Sequence, residues 1–251
     1  MEHAHLHFHA DLKDFIVPLE RHKIIVHDFN RKASIKDVIE SYNVPHTEID
    51  LILVNDISVG FDYIVQNGDD IHVHPLYPRS QKFRARPILH LSPPISGKPK
   101  FIIDVNLGRL ARYMRLLGFD CLYCNHFDDK TIAEISSKTQ RIVLTRDRKL
   151  LKRKVITYGY FVRAEFPKIQ VKEVLIKFNL HPLIKPLTRC TYCNGKLIQT
   201  EKRYIEHRLP PLTKKHYDKF LTCSDCDQIY WQGSHSSRVE KLIKEFSGDS
   251  Q

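Results

Sequence analysis

No stretch of this 251-residue chain approaches twenty consecutive apolar residues, so a membrane-spanning helix is not expected. The N-terminus lacks a basic segment followed by an apolar one and a small-residue cleavage site, so no secretory leader is expected either. Cysteine is scarce. All six fall in C-x-x-C pairs, at Cys121/Cys124, Cys190/Cys193 and Cys223/Cys226, which favours metal ligation in a cytoplasmic protein over a disulfide framework. Acidic residues outnumber basic ones only at the start. Residues 1–78 hold 6 Lys/Arg against 13 Asp/Glu, a net of −7, and the remainder carries +18, giving +11 overall. The basic two-thirds is the part expected to meet phosphate. With 42% apolar content the chain reads as soluble and globular, long enough for two or three small domains.

The stretch from Phe101 to Leu150 is the centre of the chain. An apolar run ends in Asp104, turns through Asn106 and Gly108, and enters a helix on which Leu107, Leu110, Ala111, Met114 and Leu117 share one face. Arg109, Arg112 and Arg115 recur every third residue on another face. A second apolar run, Arg141–Leu144, ends in Thr145-Arg146-Asp147-Arg148, and the pair Asp128-Asp129 opens a helical pattern between the two runs. In a parallel α/β sheet, ligands bind beyond the C-terminal ends of the strands. Asp104 and Asp147 are therefore expected to converge with one of Asp128 and Asp129. One of that pair also suits the start of a capping box with Thr131 and Glu134. The arginine stripe reads as a phosphate-binding face or as an ordinary solvated one, and Arg146 and Arg148 as substrate contacts or a surface salt-bridge cluster.

Residues 2–10 alternate, with His3, His5, His7 and His9 opposite Ala4, Leu6, Phe8 and Ala10, which predicts a half-buried strand. Lys23–Phe29 is its hairpin partner, Ser34 caps a helix, and strands follow at Leu51–Val54 and Asp70–Val73. This order, with Val44-Pro45-His46-Thr47-Glu48, Val54-Asn55 and Gly68-Asp69-Asp70, resembles a ubiquitin-like β-grasp domain over residues 1–78. Tyr77-Pro78-Arg79-Ser80 stands where a conjugating tail would carry Gly-Gly. If the first and last strands adjoin, His5, His7, His72 and His74 share the open face. Four imidazoles without a carboxylate or closed cage make an adventitious metal site, so no role is assigned to them. Residues 79–99, rich in proline and basic residues, read as a linker.

In residues 183–251, Cys190-Thr191-Tyr192-Cys193-Asn194-Gly195 and Cys223-Ser224-Asp225-Cys226 have the spacing of two zinc knuckles. Four thiolates so placed suit structural Zn²⁺, which in comparable small modules supplies roughly 10 to 16 kcal/mol of folding free energy. Cys121 and Cys124 read as packing residues, since a strand points residues three apart to opposite faces. Cations interleaved with Tyr204, Tyr217 and Phe220 suit single-stranded nucleic acid. Trp231 either stacks on a base or covers the zinc site.

Asp104 with Leu107-Gly108-Arg109-Leu110-Ala111-Arg112, then Leu116-Leu117-Gly118-Phe119-Asp120, Asp128-Asp129 and Leu144-Thr145-Arg146-Asp147, resemble the Mut-seven C-terminal ribonuclease family. The resemblance implies an α/β multidomain protein with a β-grasp domain, a PIN-like parallel-sheet core over residues 100–182 and a zinc ribbon. It also implies a ribonuclease dependent on Mg²⁺ or Mn²⁺, with Asp104, Asp128 or Asp129, and Asp147 at the metal, and with Glu134 or Glu165 as candidates for a fourth acid. RNA rather than DNA rests on this resemblance. The alternative of another class is a non-catalytic RNA-binding adaptor whose β-grasp domain recruits a protein partner.

Overall fold

Alternating small or aliphatic residues against histidines produce strand β1 (Glu2–Phe8), whose Ala4, Leu6 and Phe8 are buried. The strand stops at residue 8 rather than 10, because Ala10 takes a positive φ and starts a 3-10 turn over Ala10–Phe15. β2 (Ile25–Phe29) returns antiparallel to β1. Helix α1 (Ile35–Ser41) is capped by the Ser34 hydroxyl, which accepts from the Asp37 amide at 3.1 Å, the bond its sequence predicts. β3 (Ile49–Val54), a short β4 (Ile57–Ser58) and β5 (Asp70–Pro75) complete a five-stranded sheet in the order β2-β1-β5-β3-β4. The central β1–β5 pairing is parallel and the other pairings are antiparallel. This is the β-grasp arrangement, with α1 residues Ile35, Val38 and Ile39 in the core against β1, β3 and β5.

The structure, a computed structural model, describes residues 1–75, 88–94, 97–231 and 236–247. The Tyr77–Ser80 segment, residues 79–87 and 95–96 of the expected linker, and Gln232–His235 lie outside the described residues. The described piece of that linker is tied down. Asp50, 1% exposed, accepts from the Ser92 amide at 3.0 Å and contacts the His90 ring at 2.7 Å, and its carbonyl accepts from Leu91 N. Residues 88–94 therefore lie along the β-grasp sheet, a placement that composition could not reveal.

The chain then runs through β6 (Lys100–Ile103), α2 (Gly108–Leu116), β7 (Asp120–Leu122), α3 (Asp129–Thr139), β8 (Ile142–Thr145), α4 (Arg148–Leu151), β9 (Gly159–Phe161) and α5 (Pro167–Lys177). β6 pairs in parallel with β7, and β8 in parallel with β9, each connection carrying a helix. The fold is mixed α/β. It divides into two compact units, Met1–Ile95 with Asp129–Phe161, and Ser96–Asp128 with Val162–Gln251. That division cuts across residues 100–182.

Within the first unit the 44–48 motif and the end of α1 hold the β8–β9 segment. His46 contacts the Ile156 carbonyl at 2.9 Å, buried Glu48 accepts from the Phe161 amide at 2.5 Å, and Lys152 donates to the Glu40 carbonyl at 2.6 Å. Within the second unit, Leu107, Leu110, Ala111, Met114 and Leu117 are all buried, and Phe178 after α5 packs edge-on against Phe101. Gly118 ends α2 at φ +86°, and a Cβ there would come within 2.0 Å of the Lys185 carbonyl oxygen, so only glycine fits. A three-stranded antiparallel sheet, β10 (Leu197–Thr200), β11 (Phe220–Cys223) and β12 (Ile229–Trp231), follows. Short helices α6 (Lys202–Ile205) and α7 (Pro211–His216) lie between β10 and β11, and α8 (Ser236–Ser247) closes the described chain. Among the described residues, no helix is long and apolar enough to cross a membrane.

Candidate functional site

Asp104 directly follows β6 and is 5% exposed. Its Oδ1 accepts from the Val105 amide at 2.6 Å, so it caps the short turn that leads into α2. Asp147 lies two residues past the end of β8 and caps α4, with Oδ1 accepting from Lys149 N at 2.7 Å and its own amide donating to the buried Thr145 hydroxyl. Asp129 is the first residue of α3 and lies 3.8 Å from Arg153, while exposed Asp128 directly precedes it. Asp104 and Asp128 belong to one unit, Asp129 and Asp147 to the other. Capping occupies one oxygen of Asp104 and of Asp147, and a carboxylate has acceptor capacity for several partners, so capping and cation binding are compatible. Of the candidate fourth acids, Glu134 sits exposed on α3, 3.9 Å from Lys138, and Glu165 is exposed before α5.

The turn after Asp104 opens into a cleft of about 540 Å³ in the second unit. Asn106, Leu107 and Gly108 line it together with Arg109, Arg112, Tyr123, Glu165, Gln170 and Tyr192. Arg109 and Arg112 are exposed, and Tyr192 is 73% exposed. Gln170 is buried and spans the Ala164 and Glu165 carbonyls through Nε2 at 3.1 and 3.2 Å, shaping the opposite wall. Two exposed cations beside an exposed aromatic ring can bind a phosphate and stack a base.

Arg115 does something else. It is 3% exposed, and its guanidinium donates to the carbonyls of Cys121 at 2.8 Å and Tyr192 at 2.6 Å, with longer contacts to Tyr123 and Thr191 at 3.4 Å. Burial pulls its pKa down, and nearby cysteines and Asp120 work the other way. The expected stripe of three is thus two solvent-facing arginines and one staple that fixes the first cysteine knuckle against α2 and β7. Arg146 is exposed, whereas Arg148 stacks over the rings of Phe15 and Phe161 at 5.1 and 5.3 Å, a packing role.

Cys190, Cys193, Cys223 and Cys226 bring their sulfurs within 4.8 Å of one another, with Cys193–Cys223 at 3.3 Å and Cys190–Cys226 at 3.6 Å. A tetrahedral zinc with bonds near 2.3 Å needs sulfurs about 3.8 Å apart, so small adjustments suffice. The Gly195 and Asp225 amides point at the Cys193 and Cys223 sulfurs at 3.3 and 3.4 Å. A Cβ on Gly195 would lie 2.6 Å from the Cys223 sulfur, so the backbone passes where a side chain cannot. Burial opposes ionisation of Cys190, but the Tyr230 hydroxyl and backbone amides outweigh it and bring the thiol to about 7. Burial pushes Cys193 and Cys226 up; the close thiols add to this at Cys193, and at Cys226 Cys190 and Cys223 add to it while Cys193 opposes it. Crowded thiolates repel one another, and a divalent cation removes that penalty. The donor set fits Zn²⁺.

Two residues here escaped the sequence reading. Tyr230, not Trp231, reaches the cysteines, with its hydroxyl 3.1 Å from the Cys190 sulfur, while Trp231 is 39% exposed on the other face of β12. Asn194 spans the knuckle and β7, accepting from Cys121 N at 2.9 Å and donating to Asp120 at 2.8 Å. Its side chain was legible only as part of an Asn-Gly turn. Cys121 is fully buried and Cys124 half-buried, and neither belongs to the four-sulfur set.

Residues 99–243 match the family model described as the Mut7-C RNAse domain, and residues 1–82 match the one described as Mut7-C ubiquitin. Comparison with curated proteins and with solved structures gives no match.

Proposed function

Since the chain belongs to the Mut7-C family, with a ubiquitin domain preceding the RNAse domain, we propose that it is a divalent-metal-dependent ribonuclease acting on single-stranded RNA. The observation that carries the reading is the buried carboxylate of Asp104 at the end of β6, two residues before an arginine-bearing cleft of nucleotide size. Asp104, Asp147 and one of Asp128 and Asp129 would hold Mg²⁺ or Mn²⁺, hard cations that bind through one or two carboxylates each together with substrate phosphate. When bound, such a cation activates water and stabilises the leaving oxygen of an in-line displacement at phosphorus.

The remaining steps belong to the chain itself. Arg109 and Arg112 grip the phosphate backbone, Tyr192 stacks a base, and Arg115 holds the Tyr192 backbone in place through its 2.6 Å hydrogen bond. Zn²⁺ at Cys190, Cys193, Cys223 and Cys226 makes the C-terminal sheet a zinc ribbon and keeps the Tyr192 knuckle rigid. A PIN-like core and a cytoplasmic location accompany this reading. Incubating the full chain with end-labelled single-stranded RNA, with Mn²⁺ added or omitted, tests it. Cleavage only with Mn²⁺ is expected. RNA binding without cleavage under either condition would favour an adaptor whose β-grasp domain recruits a protein.

A further inference from the structure

The open face of the β-grasp sheet carries a polar cluster that the proposed nuclease chemistry does not use. β1 and β5 lie parallel in a register that sets His5 opposite Asp70 and His7 opposite His72. A carboxylate therefore does sit among the histidines, contrary to the expectation from sequence. Asp70 Oδ1 lies 2.7 Å from His7 Nε2, and Oδ2 lies 3.2 Å from His72 Nε2. On its other side, His72 Nδ1 is 2.9 Å from His9 Nε2, and His9 stacks on His74 with ring centroids 4.0 Å apart. Nitrogens of His9, His72 and His74 all fall within 4.8 Å of one another, and all three rings are half-buried.

We propose that His9, His72 and His74 form a binding site for a divalent transition metal, with Asp70 as the group that orients His72. A carboxylate only accepts, so its contact assigns the His72 proton to Nε2 and leaves the Nδ1 lone pair on the side of His9, whose Nε2 is 2.9 Å away. Carboxylate behind histidine in front of metal is the usual arrangement around imidazole ligands. Three imidazoles select Zn²⁺, Ni²⁺ or Cu²⁺ over Mg²⁺ or Ca²⁺ and leave a coordination position open to solvent. His9 follows β1 while His72 and His74 belong to β5, so the ion clips the sheet's parallel pair. The site lies wholly within residues 1–75 and does not depend on the nuclease reading.

The test is calorimetric titration of the zinc-replete full chain with Ni²⁺. With excess Mg²⁺ present to fill the acidic cluster, one site per chain is expected. His72→Ala should abolish it, and Asp70→Asn should weaken it about 10- to 100-fold, the usual cost of losing such a supporting group. His5→Ala, outside the triad, should leave it unchanged, with circular dichroism showing each variant folded. Equal loss in His5→Ala and His72→Ala would mean diffuse chelation by the histidine-rich strand and would overturn the proposal, as would undiminished binding in His72→Ala.

Discussion

The carboxylate of Glu48 accepts a hydrogen bond from the backbone amide of Phe161 at 2.5 Å, across 113 residues of sequence. It joins the β-grasp part of the first unit to β9, and Glu48 is 3% exposed. Removing the acceptor deletes a partly buried hydrogen bond to a charged group, which costs roughly 1.5 to 3 kcal/mol. Glu48→Ala should lower the thermal midpoint accordingly, while Glu48→Gln, which keeps a carbonyl oxygen, should lose less. Equal midpoints for the two variants would remove this bond from the account.

Arg115 and Arg112 stand three residues apart on α2 and should behave oppositely. Arg115→Ala removes the hydrogen bonds that its guanidinium gives the Cys121 and Tyr192 carbonyls, so stability should fall by roughly 1 to 3 kcal/mol and zinc should pass faster to a chelator. Arg112→Ala should leave stability within about 0.5 kcal/mol of the parent, as for other exposed positions. The reverse pattern in thermal melts and chelator kinetics would show the assignment to be inverted.

RNA affinity across a salt series reads the cleft directly. Each phosphate contact to a single strand contributes a slope of about −0.7 in log K against log salt. Arg109→Ala/Arg112→Ala should flatten the slope by about 1.4 on that basis. Adding Arg115→Ala should not flatten it further, because that guanidinium is spent on carbonyls. An unchanged slope in the double variant would return both arginines to a solvated helix face.

Purified protein should hold about one tightly bound zinc per chain at the four cysteines, as their spacing implies. Cys190→Ser/Cys223→Ser should remove it, measured by elemental analysis after dialysis against a weak chelator. Retention of that zinc would point to ligands elsewhere.

Much of the fold was legible because it is local. Alternation marked β1 and β5, Ser34 marked the start of α1, and the 3.6-residue recurrence from Leu107 to Leu117 marked the buried face of α2. The four cysteines were legible because knuckle spacing is itself the geometry. What spacing could not supply was the partner. Arg109, Arg112 and Arg115 look equivalent along a helix, and the third is set apart by the Cys121 carbonyl and by the Thr191–Tyr192 backbone, brought up from 76 and 77 residues away. Likewise Asp70 joins the histidines through strand register, and Arg148 is drawn from a charged surface cluster by Phe15 and Phe161. The four acids are legible as strand-end and helix-start residues, and their joint action is a matter for kinetics.

That joint action is tested most directly by single-turnover cleavage of single-stranded RNA in Mn²⁺ by Asp104→Asn and Asp147→Asn, with RNA affinity and thermal midpoint measured on the same samples. An Asn keeps the capping acceptor but removes the charge that holds the cation. Both variants should bind RNA and melt close to the parent while cleavage falls by at least about 100-fold, roughly 3 kcal/mol of barrier. Cleavage at the parent rate in both would contradict the acidic cluster as the catalytic centre.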